Sequence, residues 1–111
     1  MIEIRQYVDR LGHTPFLKWL DELNDAAQAR VALSLERLER GNFSSVKSVG
    51  AGVQELRVDF GPGYRVYFGW DGEQLVILLA GGSKKRQQSD IAKAKALWQE
   101  FKVRKREGLW R

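Results

Sequence analysis

The sequence predicts an α+β fold: a small antiparallel β-sheet, an N-terminal strand plus a three-stranded meander, with a helical hairpin on one face and a C-terminal helix near the other. Three observations carry this. Residues 53–70 alternate apolar and polar side chains in two stretches around the turn-forming Gly61-Pro62-Gly63, and a third stretch follows Asp71-Gly72. Residues 14–41 instead repeat apolar side chains at helical spacing. A last helical period, ending near Phe101, comes after the glycine pair Gly81-Gly82.

Taken in order, Ile2 to Val8 alternate well enough for a strand, with Ile2, Ile4 and Val8 on one face and Glu3, Arg5 and Tyr7 on the other. Thr14-Pro15 reads as a helix cap with proline in the first helical position. Phe16, Leu17, Trp19, Leu20 and Leu23 form one stripe. Asn24-Asp25 marks a joint and a fresh cap. Ala27, Val31, Leu35 and Leu38 continue the period until Gly41 stops it. Residues 42–52 read as a loop anchored by Phe43, Val46 and Val49; Lys47 lies here, in a connector or a ligand-contacting loop.

In the meander, Leu56, Val58 and Phe60 oppose Glu55, Arg57 and Asp59, while Tyr64, Val66, Phe68 and Trp70 oppose Arg65, Tyr67 and Gly69. Asp71-Gly72 is a two-residue hairpin turn. Leu75 to Ala80 is apolar on both faces and reads as central and covered twice. If Phe60 stands opposite Tyr64, Asp59 pairs with Arg65 and Arg57 with Tyr67; if Trp70 stands opposite Glu73, Tyr67 pairs with Val76 and Arg65 with Leu78. Arg57, Arg65 and Tyr67 then share a face. Gly81-Gly82 ends the sheet, and Ser89 caps a helix with Asp90 in its first turn. Ile91, Ala94, Trp98 and Phe101 form its buried stripe, and Lys95, Lys102 and Arg106 another. A basic tail from about residue 102 follows, with Trp110 lacking a local partner.

The 111 residues suit one domain with no internal repeat or linker. No cysteine is present, which excludes disulfides and thiolate metal sites. No apolar run approaches a membrane span and no signal-peptide pattern opens the chain, so a cytoplasmic protein with no membrane partner is expected. The net charge of +5 is unevenly placed. Residues 83–111 hold ten Lys or Arg against three acids, whereas residues 1–82 hold nine against eleven. A basic segment on a near-neutral body suits either a nucleic-acid partner or a solvated terminal helix.

Several chemistries fall away. The single histidine, His13, lies in a turn, and no His relay or His metal cluster can be built from one. Gly61-Pro62-Gly63 joins strand to strand, so it is not a nucleotide-binding loop. Glu55 and Asp59 serve acid–base work or pair with neighbouring arginines. What remains is an Arg–Lys–Tyr surface suited to RNA phosphodiester chemistry, in which the ribose 2′-OH is oriented, its proton accepted and the phosphate charge offset. Arg gives bidentate phosphate contacts, a crowded Lys can act as base, and Tyr can stack on a base or donate a proton. The plainer reading pairs Arg57 and Arg65 with Glu55 and Asp59 and packs Tyr67 as a cross-strand aromatic.

The order of elements resembles the RelE/ParE superfamily of bacterial toxins. Glu55-Leu56-Arg57, the run from Gly61 to Phe68, Leu78 to Lys84, Gln87, and Asp90 to Ala94 are together similar to the phage-related HigB-like addiction module killer branch, over roughly residues 1–100. The resemblance implies the toxin of a type II toxin–antitoxin system, a metal-independent and cofactor-free mRNA endonuclease acting at the ribosome by 2′-OH attack. It implies Arg65, Lys84 and Tyr67 as catalytic residues. Arg57 joins them as an RNA contact, and Lys85, Arg86, Lys95 and Lys102 extend that basic surface. The implied partners are ribosome, mRNA and a helix-turn-helix antitoxin, with operator DNA reached only through the antitoxin complex. A ParE-like DNA gyrase inhibitor and an inactive antitoxin-binding member are the alternatives. The chain departs from the branch after Gly82, where Ser83-Lys84-Lys85-Arg86 replaces an Asp-Lys-Ser-Thr pattern.

Overall fold

A computed structural model describes residues 1–109; Trp110 and Arg111 lie outside the described residues. The elements are β1 (Glu3–Gln6), α1 (Pro15–Asp21), α2 (Asp25–Glu39), β2 (Val46–Gly50), β3 (Val53–Val58), β4 (Tyr64–Trp70), β5 (Leu75–Ser83), a 3-10 turn (Lys84–Arg86) and α3 (Gln87–Arg106). The five strands form one sheet in the order β1-β5-β4-β3-β2. The α+β class is as expected, with two refinements. β1 runs parallel to β5, so the sheet is mixed rather than wholly antiparallel. The stretch read as a loop contributes β2, an edge strand that pairs antiparallel with β3.

Two apolar layers result. On one face α1 and α2 press Phe16, Val31 and Leu38 onto Leu56, Val66, Phe68, Val76 and Leu78. On the other, α3 presses Ala94, Trp98 and Phe101 onto Val53, Tyr67, Ile77 and Leu79. β4 and β5 are therefore covered twice, the arrangement that the two-faced apolarity of β5 anticipated. Tyr7 belongs to the α3 layer and not to an exposed polar face. It is fully buried, edge-on to Phe101, with its hydroxyl accepting from Arg104 Nη1 at 3.1 Å. Arg104 also donates to the Val8 carbonyl at 2.7 Å, and Lys105 pairs with Asp71. The basic C-terminal segment thus continues as docked helix through Arg106.

Pro15 opens α1, but Thr14 makes no side-chain cap bond to it; α2 is the helix whose start has a side-chain cap. Asn24 Oδ1 accepts from the Ala27 amide at 2.9 Å and starts α2. α3 starts earlier than its serine suggested. Ser89 lies inside the first turn and donates to the Arg86 carbonyl at 3.1 Å, so it is not the cap.

The glycine pair 81–82 does not end the sheet; both residues lie within β5. A Cβ at Gly81 would overlap the Trp19 ring on the α1 side, and one at Gly82 would overlap the Asp90 carboxylate on the α3 side. Glycine is required here because side chains from both layers press directly onto the backbone.

The register also differs from expectation. Arg65 stands opposite Arg57 rather than Asp59, and Glu55 opposite Tyr67. The connection across Gly61-Pro62-Gly63 is wider than a tight hairpin, since the last pair is Val58 with Tyr64. A bulge at Tyr67/Phe68 then brings Tyr67 opposite Ala80 and Arg65 opposite Gly82.

Candidate nucleic-acid interface

The meander brings its charged residues to the hairpin end of the sheet. β3 carries Glu55 and Arg57 on the α3 side, and β4 carries Arg65 and Tyr67 on the same side. α3 covers only part of that face. Glu55 is 2% and Tyr67 0% exposed, Arg65 is 8% exposed, and Arg57 stands in solvent beyond the helix. The face is therefore graded from a buried polar layer to an open arginine.

Glu55 is the hub of the buried layer. Its Oε1 lies 3.5 Å from Arg65 Nε and 3.8 Å from Lys47 Nζ, and its Oε2 accepts from Gln87 Nε2 at 2.8 Å. Lys47 arrives because β2 pairs it directly with Glu55. Arg65 Nε is outside hydrogen-bond geometry, while its Nη1 donates to the Tyr64 carbonyl at 3.2 Å. The sequence reading of Glu55 as an arginine partner holds; the contributions of Lys47 and Gln87 needed β2 and the start of α3, neither of which was placed.

Tyr67 does not join the open surface. Alternation identified its face but not that α3 would cover it. Its hydroxyl is buried without a hydrogen-bond partner among the described residues. Burial pushes the phenol well above its ordinary range, and the charges of Glu55 and Asp90 push the same way against Arg65. Asp90 Oδ2 is likewise buried and unpartnered, and burial raises its pKa against the lowering effect of Arg86 and Lys93.

The open part is a groove of about 470 Å³ along the Gly61–Gly63 turn, with Arg57, Arg65 and Lys84 in its walls. Gly63 holds it together. The Lys84 amide donates to the Gly63 carbonyl at 3.0 Å, and the Gly63 Cα carries a left-handed φ of 85°. A side chain there would meet Arg65 Nη1 at 3.6 Å and Lys84 Cβ at 3.7 Å. A shorter recess between β2 and β3 is lined by Lys47, Glu55, Arg57 and Arg65. Asp59 pairs with Arg57 at 3.3 Å, but both are exposed, so the pair is worth less than about 1 kcal/mol.

The remaining basic residues divide. Lys85 and Arg86 follow Lys84 on the exposed 3-10 turn. Lys95 lies along α3 beside Gly50. Lys102 lies near the opposite hairpin, in a shallow recess with Trp70, Asp71 and Trp98. The groove therefore gathers Arg57, Arg65 and Lys84, with Lys85 and Arg86 adjacent, and leaves Lys95 and Lys102 outside. Among the described residues, no group of three or more His, Cys, Asp or Glu could hold a metal ion, and no helix is long and apolar enough to cross a membrane.

A helical pair and one long helix clasping a five-stranded mixed sheet make this an α+β protein with a RelE-like fold. Comparison with known families narrows this: the model of the phage-derived protein Gp49-like family (DUF891) matches residues 18–102, and the chain belongs to that family, which is RelE- and toxin-like. A protein of Haemophilus influenzae (strain ATCC 51907 / DSM 11121 / KW20 / Rd), described as an uncharacterized protein, is similar to this chain. The two are 49% identical over 87 residues, covering 78% of this chain and 88% of the relative.

Proposed function

We propose that this chain is the toxin of a type II toxin–antitoxin pair, of the HigB-like kind, and that it cleaves mRNA in the ribosome. The observation that carries the reading is the convergence of Arg57, Arg65 and Lys84 on one open groove. A toxin-like family implies an antitoxin partner in general. We take that partner to be a helix-turn-helix protein through which the pair reaches its operator, with both acting in the cytoplasm.

The chemistry needs no group beyond the chain and the RNA. The 2′-oxygen adds to the adjacent phosphorus and the bond from phosphorus to the 5′-oxygen breaks, leaving a 2′,3′-cyclic phosphate and a 5′-hydroxyl. One proton leaves the 2′-OH and one joins the 5′-oxygen. Arg57 and Lys84, both in the groove wall, bind the phosphate, and Lys85 and Arg86 meet the flanking backbone. Arg65 is less mobile because Glu55 and the Tyr64 carbonyl hold it. It offsets charge on the non-bridging oxygens, where a preorganised donor is most effective. Lys84 and Glu55, which line the groove and the adjoining recess, are the proton-exchanging groups. Tyr67 acts from beneath, opposite Glu55 on the neighbouring strand, as a positioning residue.

Mapping transcript ends after induction tests this reading. Growth arrest should coincide with halted translation and new 5′-ends within codons. Arrested replication with intact transcripts would instead identify a gyrase inhibitor, and normal growth an inactive antitoxin-binding member.

A further inference from the structure

The groove is one end of a longer basic track. A second cleft, of about 230 Å³, lies between α2 and the chain entering β2. Its walls include Arg30 and Arg37 from α2, Arg57 from β3, and the polar side chains of Ser34, Asn42 and Ser44. Arg30 and Arg37 are two helical turns apart, so they share a face about 10.5 Å apart along the axis. Neither has an ion-pair partner among the described residues. Arg30 is oriented by stacking over the Phe60 ring at 5.0 Å. Asp59 is the only acid in the lining, and it already pairs with Arg57. Three arginines, three serines and an asparagine around one concavity form a site for a phosphate group.

The cleft is continuous with the groove. Arg57 lines the cleft, the recess at Glu55 and the groove, and Ser44 and Ser45 line both the cleft and the recess. We propose that Arg30 and Arg37 form a phosphate subsite for the same RNA strand, carrying it from the groove around the β2 edge onto α2. The identity of the polyanion rests on the function proposed above; the phosphate site itself does not. The track explains why α2, in the near-neutral part of the chain, presents two unpaired arginines on one face. Strand length then matters, because a short RNA fills the groove alone and a longer one reaches both arginines.

The test measures binding of a trinucleotide and a nonanucleotide of single-stranded RNA over a salt series. Wild type is compared with Arg30→Ala/Arg37→Ala, Arg30→Lys/Arg37→Lys and Arg57→Ala/Lys84→Ala. The alanine pair on α2 should weaken nonanucleotide binding roughly ten-fold or more at low salt and reduce its log–log salt slope by about 1.4, the value for two lost single-strand phosphate contacts. Trinucleotide binding should be unchanged, and the lysine pair should restore most of the slope. Unchanged nonanucleotide affinity and slope in the alanine pair would overturn the subsite. Inorganic phosphate separates this proposal from the functional one. It should shift the amide resonances of Ser34, Asn42 and Ser44 in wild type and not in Arg30→Ala/Arg37→Ala. Those shifts without RNA binding by any form would keep the phosphate site and remove RNA as its ligand; their absence would remove the site.

Discussion

Arg65→Ala should abolish growth arrest, and should cut RNA cleavage at least about 100-fold, the loss typical of removing one preorganised donor from a developing oxyanion. The same change has a folding cost. Arg65 is 8% exposed and its guanidinium faces the buried Glu55 carboxylate, which would keep Lys47 and Gln87 but lose its nearest cation on β4. Leaving a buried acceptor short of a partner costs about 1–3 kcal/mol. Loss of toxicity in Arg65→Ala alone would therefore mix two effects. Arg65→Lys separates them. It keeps a positive charge beside Glu55 and should melt within a few degrees of wild type, yet it lacks the planar fork that meets two phosphate oxygens. A folded, inactive Arg65→Lys protein places Arg65 in the reaction. A folded protein with full cleavage activity would remove it.

The largest stability effect is expected at Gly81→Ala. A methyl group there overlaps the Trp19 ring, which is itself fixed by Phe16 at 5.8 Å and Tyr64 at 6.1 Å between ring centroids. Relief requires moving α1 away from β5, and overpacking of this kind costs about 3 kcal/mol. For a domain of this size that corresponds to a fall in Tm of roughly 10 °C or more. Gly72→Ala is the matched control. Gly72 has a φ of 80° but nothing within 4 Å of a Cβ, so only backbone strain of about 1–2 kcal/mol is added. Gly81 itself has no left-handed φ, so a Gly81→Ala shift no larger than that of Gly72→Ala would show that the Trp19 contact does not require glycine at 81.

The contrast between those glycines also marks what the sequence made legible. Helical stripes, the Asn24 cap and the positions of the two chain reversals depend on neighbours within a few residues and are legible. The turn widths are not: Asp71-Gly72 is no two-residue turn, since Trp70 stands opposite Val76 rather than Glu73. Gly81-Gly82 looked like punctuation because nothing local distinguishes a strand end from a backbone pressed by Trp19 and Asp90. β2 was missed because an edge strand of Val, Lys, Ser, Val and Gly has only Val46 and Val49 to bury, and its hydrogen bonds come from a partner strand. The register followed from assumed turn widths, and the bulge at Tyr67/Phe68 has no local signature.

The candidate site divides along the same line. Arg57 and Arg65 share a face in every register an even number of residues from the expected one, and the observed register is shifted by two, so their proximity was legible. Lys84 joins them because its amide is tied to Gly63, the residue that closes the turn. The burial of Tyr67 was not legible, since alternation sorts residues by face and only the docking of α3 decides which part of a face stays open. Glu55 as a shared partner of Arg65, Lys47 and Gln87 required three elements that are distant in sequence.

On the function proposed, the arginine groove supports attack by a ribose 2′-oxygen. The most direct measurement uses purified protein and ribosomes programmed with an mRNA carrying a single 2′-deoxy nucleotide at the mapped cleavage position. The unmodified message should yield a 2′,3′-cyclic phosphate and a 5′-hydroxyl, and the 2′-deoxy message should stay intact at that position. Cleavage of the 2′-deoxy message at the same bond, or no cleavage of either message, would contradict the account.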